Sequence, residues 1–484
     1  MRKAILSALN IEENELGPVV LLILQSVFIG VFYGAFDIGA HTLFLNAYEE
    51  SMIAYAYIVS GLVGILMTSL YSKMQSVISF KRLALLNLLS ISLISILLWA
   101  GFYLQIIPDK IVIFITFLML GPLNIVALLG FWGTVGRIFT LRQGKRLFGM
   151  IDLGQIFGII LASYAIPIFS IFFAENFDSR NLILISGLSI LFAIIFQIII
   201  SNRYEYIRTD EAEETDENKE PEKEENTTSK VKITELFKDR YISKMALFII
   251  FSMIVAFFVQ FSFLAVSKEK YPSEVELAKF LGFFTGSMTI FTLLVKTFIF
   301  SKLMKTYGLK ICLLLLPAIM GLFTILAVLA GSFFGYRSAA PGFMMFFLLI
   351  IMSKLFAKTL KDSIEIPSFK LLYQSLQKNI RFDVQAKIDG TINEFSAVFA
   401  GVLLSALGLL SFFKLIHYSV VLVAIIVFWL IVAFRLYHEY RGSIERSLMR
   451  RKKKKTAKDI DELVKYEISY SLKELTKEGK QIGR

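Results

Sequence analysis

The sequence predicts an all-α integral membrane protein, with twelve transmembrane helices in two six-helix bundles. Three observations lead there. Hydrophobic residues make up 56% of the 484-residue chain and include 46 phenylalanines, more than the surface of a soluble domain of this size tolerates. They gather into twelve apolar windows of about 18 to 25 residues, each long enough to span a hydrocarbon core of about 30 Å. A single acidic stretch divides those windows six and six.

The elements follow in order. Residues 1–17 form a cytoplasmic N-terminal segment in which Glu12, Glu13 and Glu15 stand where a signal peptide would carry its apolar core, so the first span is expected to act as its own signal. Span one covers 18–45 and holds Asp37 and His41. Spans two and three cover 52–72 and 83–104, joined by a loop with Lys73, Lys81 and Arg82. Span four, 111–134, contains Asn124 and leads into Arg137, Arg142, Lys145 and Arg146. Span five, 151–173, opens on Ile151-Asp152, and span six, 181–200, completes an N-terminal bundle over 18–200.

Residues 201–240 read as an acidic cytoplasmic linker, with the run Asp210-Glu211-Ala212-Glu213-Glu214 at its centre and too little apolar character to fold. The C-terminal bundle, 241–437, then places spans at 242–266, 279–300, 309–331, 342–360, 385–411 and 416–436. A six-plus-six division is the arrangement of parallel-repeat transporters with a central substrate site. A trace of the repeat survives: Ile151-Asp152 opens span five after one basic loop, and Ile388-Asp389 opens span eleven after another.

Lysines and arginines crowd one set of loops, which places both termini in the cytoplasm of a multi-pass protein of the cell (inner) membrane. The same bias accounts for the net charge of +12, so nucleic acid is not expected as a partner. In the tail, 438–484, the run Arg450 to Lys455 suits anionic lipid headgroups, worth up to about 1 kcal/mol per side chain. Beyond it, Asp459 to Lys477 has the pattern of an amphipathic helix, a surface for a cytoplasmic protein partner. The lone cysteine, Cys312, excludes a disulfide framework and a thiolate metal site. No catalytic motif is present, the three histidines are scattered, and neither enzyme activity nor a cofactor or metal is expected.

Function is sought in the charges inside the bilayer. Lys354 lies deep in span ten, where a lipid-facing charge costs about 3 kcal/mol, so it is expected to face a protein-lined, wet cavity. Lys358 follows one turn later on the same face, and the pair is the first candidate for an anion site. Lys361, Asp362 and Glu365 continue that charged stripe. Asn124 and Gln260 are candidate substrate ligands or, as lone intramembrane amides often are, helix-to-helix glue. Asn393 and Glu394 lie one to two turns into span eleven, with Glu394 a candidate partner for Lys354 or Lys358. Asp37 and His41 share a face and read either as a proton-coupling pair or as the headgroup end of a shorter span. Arg142, Arg146, Asp152, Arg381, Lys387 and Asp389 form a candidate cytoplasmic gate, the two aspartates latching the halves together through arginines. The alternative for Asp152 and Asp389 is simple helix capping.

A family resemblance accompanies this reading. Phe131-Trp132, the run Arg142-Gln143-Gly144-Lys145-Arg146-Leu147-Phe148-Gly149-Met150-Ile151, Gly154 and Gly158 resemble the nucleotide carrier (ATP/ADP translocase-like) branch of the major facilitator superfamily, which includes bacterial relatives with C-terminal helical repeats. Phe280-Leu281-Gly282-Phe283-Phe284, Tyr307-Gly308-Leu309, Pro317, Leu371-Leu372-Tyr373-Gln374, Arg381, Lys387-Ile388-Asp389-Gly390 and Gly401 agree with it in the second half. Ser375-Leu376-Gln377 lacks a proline expected of such relatives, and Thr140 stands where they carry an acid. The resemblance implies a major facilitator-like, two-bundle secondary transporter whose anionic substrate is a nucleotide or another phosphorylated compound. Two alternatives stand: a non-transporting anchor or sensor acting through the tail, and a proton-coupled exporter using Asp37 and His41.

Overall fold

The computed structural model describes residues 12–13, 15–172, 177–204, 239–376, 380–381, 384–385, 387–410 and 412–443. The core of the acidic linker, the basic run at 450–455 and the amphipathic tail lie outside the described residues.

Twelve helices account for the described chain. They are α1 (Leu16–Ala47), α2 (Ser51–Val77) and α3 (Phe80–Leu104), then α4 in two segments, Asp109–Leu118 and Leu120–Ile138, bent by 42°. Next come α5 (Leu141–Phe172), α6 (Arg180–Arg203) and α7 (Arg240–Lys270). One hydrogen-bonded stretch, Glu274–Phe334, supplies two further helices. At about 1.5 Å per residue it would be roughly three bilayers long, far more than one crossing needs. Gly308, at φ 71°, breaks it into α8 (274–307) and α9 (309–334), a backbone position open to a residue without a Cβ. The last three are α10 (Phe343–Ser375), α11 (Lys387–Gly408) and α12 (Leu415–Ser443).

Local chemistry explains the start of α7. Asp239 caps α7 by accepting from the amides of Tyr241 and Ile242 at 2.8 and 3.1 Å. Leu62, Leu66, Phe157, Phe298 and Phe395 stand exposed on the outside of the helices, whereas Phe32, Phe36, Phe248 and Trp429 are buried between them. An apolar outside around an apolar core is what lipid solvation requires.

Two boundaries differ most from the sequence expectation. Helix α10 runs on to Ser375 instead of ending at 360, because Lys361, Asp362 and Glu365 turn inward to polar partners within a π turn, Lys361–Glu365. Helix α5 begins at Leu141, ten residues before the apolar window, since its basic first turns are good helix formers outside the hydrocarbon. Asp152 therefore lies well inside a helix, and its capping role falls away.

Glycine sets the closest contacts. Helices α1 and α5 meet where a Cβ on Gly158 would sit 2.0 Å from the Val27 carbonyl oxygen and 2.9 Å from Gly30 Cα. The two halves meet along α5 with α8 and along α2 with α11. A Cβ on Gly282 would lie 2.7 Å from the Ser163 carbonyl oxygen, and one on Gly401 would lie 2.9 Å from the Ile58 amide nitrogen. Small residues let backbones approach where lipid offers no hydrophobic drive to pair.

At the face where α1 ends and α8 begins, polar contacts also tie the halves. Asn46 donates to Glu274 at 3.3 Å, Glu274 accepts from the Ser179 amide at 3.0 Å, and Lys268 donates to the Tyr48 carbonyl.

Candidate substrate site

The stripe on α10 faces the middle of the bundle. Lys358 is bound to Asp362 at 3.0 Å, yet the two side chains keep 51% and 33% of their surface accessible. Across from them on α1, Asp37 keeps 43%, and its charge acts on both Lys354 and Lys358. Asp37 on one half and Lys354 and Lys358 on the other thus lie close enough for their charges to interact across the space between α1 and α10. The fold brings Asp37 to the two lysines, a meeting the sequence did not indicate.

Asp37 leads to a second link. His41 Nδ1 lies 2.7 Å from the Asp37 carbonyl oxygen and 3.5 Å from its carboxylate, and His41 Nε2 lies 3.2 Å from Gln260 Nε2 on α7. The Gln260 side-chain nitrogen, which faces the ring, can only donate, so His41 Nε2 accepts and the ring hydrogen sits on Nδ1, donated to the Asp37 carbonyl. Gln260 thus joins the pair, and the chain Asp37–His41–Gln260 crosses from one half to the other. Tyr57 on α2 completes this wall. Its ring meets Phe257 of α7 edge-on at 4.8 Å, its buried hydroxyl has no hydrogen-bond partner among the described residues, and the charge of Asp37 reaches it. Sequence reasoning missed Tyr57, since a tyrosine in an apolar span carries no signal of its own.

Other expected ligands lie apart from the lysines. Asn124 accepts through its backbone oxygen from Tyr33 Oη at 3.1 Å, while its side-chain oxygen is buried with no partner among the described residues. Asn393 opens the regular part of α11, partly buried. Glu394 pairs with neither Lys354 nor Lys358. It sits in the α2–α11 seam, where a Cβ on Gly64 would be 2.8 Å from its Oε2. Further along α10, Glu365 accepts from Ser252 of α7, and Lys361 contacts Met253 Sδ at 2.9 Å.

Arg146, Asp152, Arg381 and Asp389 do not gather into one latch. Arg146 pairs with Glu15 and with Glu12, and Gln143 donates to Glu15 at 2.9 Å, all within the first half. Asp152 does cross between halves, but its partner is Lys296 on α8 at 2.8 Å, not a loop arginine. Asp389, in the first turn of α11, accepts from Tyr373 Oη at 2.7 Å. Arg381 donates to the carbonyls of Gln374 and Leu376. Lys387 stands at the first residue of the π turn that opens α11, and the side chain of Arg142 lies outside the described residues. A lysine at a span end reads as a snorkelling residue, which is why the role of Lys296 was not legible in sequence.

The family model for the TLC ATP/ADP transporter matches residues 110–440. The chain belongs to that family. This transporter shares its fold with solved transporters at low identity. The crystal structure of the nucleoside transporter NupG aligns with a TM-score of 0.58 and 16% identity over 87% of this chain and 98% of that one. A bacterial homologue of the iron transporter ferroportin, in an inward-facing state, gives 0.58 and 12% over 87% and 98%. A POT family transporter in complex with 5-aminolevulinic acid gives 0.57 and 12% over 87% and 96%. No curated protein matches the chain. Family and fold are those of multi-pass membrane transporters rather than enzymes, and the architecture is the twelve-helix, two-bundle major facilitator type.

Proposed function

We propose that this transporter moves an anionic, phosphorylated solute, most simply a nucleotide, by rocking its two halves about the space between α1 and α10. The observation that carries the reading is the pairing at mid-span of half-buried Lys354 with exposed Lys358, both within reach of the Asp37 charge from the other half. An ammonium is a compact charge that suits phosphate oxygens, and a site partly shielded from water strengthens the attraction. The family description, ATP/ADP transporter, supports the same class.

The geometry supplies a route for the cycle. While the site is empty, Asp37 and Asp362 balance the two lysines. A phosphate entering between them competes with both aspartates and loosens the attraction of α1 for α10, one of the ties between the halves. The Asp37–His41–Gln260 chain holds the adjacent level until that happens. In this reading the face carrying the basic loops is cytoplasmic, in the cell (inner) membrane.

The test is thermal shift of the purified full chain with ATP, ADP, inorganic phosphate and sugar phosphates, beside uptake of radiolabelled ATP into proteoliposomes. A charged hydrogen bond contributes about 1.5–3 kcal/mol, so Lys354→Ala or Lys358→Ala is expected to weaken ATP about 10- to 100-fold. Lys354→Arg is expected to restore only part of the loss, because the planar fork differs from a point charge. ATP binding and uptake by both alanine variants at the parent level would overturn the assignment.

A further inference from the structure

Glu365 lies in the π turn of α10 and is 1% exposed. Its Oε1 accepts from Ser252 Oγ of α7 at 2.5 Å, whereas Oε2, equally buried, has no hydrogen-bond partner among the described residues. Lys361, one turn earlier, places its ammonium on Met253 Sδ at 2.9 Å; its charge reaches Glu365 without an ion pair forming. The other charge acting on Glu365 is Asp362 of the same helix, already held by Lys358. The remaining elements packed on this turn, α8 and α9, bring Lys296, which is bound to Asp152, and the buried thiol of Cys312.

This setting is poor for a carboxylate and good for a carboxylic acid. A carboxylate divides its charge over two oxygens that each want donors, and a buried charged oxygen without one is costly. As an acid, the group donates its own hydrogen to Ser252 Oγ across the same contact, and the other oxygen becomes a carbonyl. A missing hydrogen bond there costs only about 1–3 kcal/mol. Oxygen ligands are too few, and an ammonium too near, for a metal cation to take the place of that proton.

We propose that Glu365 is a proton-binding site coupled to the anion site, so that this transporter carries a proton together with its solute. The sign follows from the stripe. An anion that takes Lys358 frees the negative charge of Asp362, three residues from Glu365 and on the same face, and adds its own. Both favour a proton on Glu365. When the anion leaves, Asp362 returns to Lys358, and Glu365 can release its proton to solvent and pair with Lys361 at i, i+4 as α7 and α10 separate. The proposal extends the transport reading and does not depend on the solute being a nucleotide.

Two measurements on the full chain test it. Infrared difference spectra of the parent against Glu365→Gln at neutral pH are expected to show a protonated-carboxyl stretch that shifts in Ser252→Ala, which removes its hydrogen-bond partner. A parent without that band overturns the proposal whether or not any solute is transported. Calorimetry of ATP binding at alkaline pH, where Glu365 has lost its proton in the ATP-free protein, in buffers of differing ionisation enthalpy is expected to show uptake of up to one proton by the parent and none by Glu365→Gln. Equal proton uptake by both proteins overturns it as well. Loss of ATP binding in the parent would instead count against the nucleotide reading, leaving the infrared result to decide the proton site.

Discussion

The ion pair between Lys296 and Asp152 is the tie between halves whose removal has the most direct consequence. The far part of the α5–α8 seam is locked by close packing at Gly282, against Ser163 and Pro167, and at Gly286, against the ring of Tyr164. The pair closes the near part at 2.8 Å, with side chains 43% and 23% exposed. Accessible ion pairs contribute about 0.2–1 kcal/mol, so Asp152→Asn is expected to raise the population with this end open by about 1.4- to 5-fold. Labelling reads this out cleanly, because Cys312 is the sole cysteine and is buried. Maleimide modification of Ile156→Cys, one turn beyond Asp152 on the same face of α5, should quicken by that factor in the Asp152→Asn background. The charge swap Asp152→Lys with Lys296→Asp should return the rate towards the parent. A swap that labels as fast as the single variant would refute the electrostatic account and leave only local packing.

Further outcomes follow from individual contacts. Gly158→Ala forces α1 and α5 apart and is expected to cost about 1–3 kcal/mol, seen as a lower Tm, while Gly136→Ala, with open space around it, should be neutral or slightly stabilising. Gln260→Leu removes the donor to His41 Nε2 and should speed labelling of cysteines placed where α1 meets α7; an unchanged rate would return Gln260 to a packing role. Glu50, in the connection between α1 and α2, has its carboxyl raised above the ordinary glutamate value by burial first and by the Glu269 charge second, with Lys268 opposing. A raised carboxyl binds its proton more tightly folded than unfolded, so this contribution to stability is present at low pH and is lost as pH rises through the folded value. Glu50→Gln should therefore flatten the fall of Tm above the acidic range, and an unaltered slope would show that Glu50 is not the group responsible.

Sequence by itself determined the number of spans, their six-plus-six grouping and the family, because a bilayer demands about 20 apolar residues per crossing and leaves few alternatives to a helix. It also singled out Lys354, Lys358, Asp37, His41 and Gln260, since charged and amide groups at such depth cost too much to face lipid. Which of them meet was decided only by tertiary structure. Asp37 and Lys354 are more than 300 positions apart in the sequence, so their attraction between α1 and α10 depends on how α1 is turned about its axis. Hydropathy carries no record of that rotation. The same limit explains Glu394, which packs against Gly64 instead of reaching a lysine, and Asp152, which finds Lys296 on α8. The π turns that carry Lys296, Glu365 and Asp389 arise from one additional residue per turn. Glu365 itself lies in one of them, where it meets Ser252 of α7.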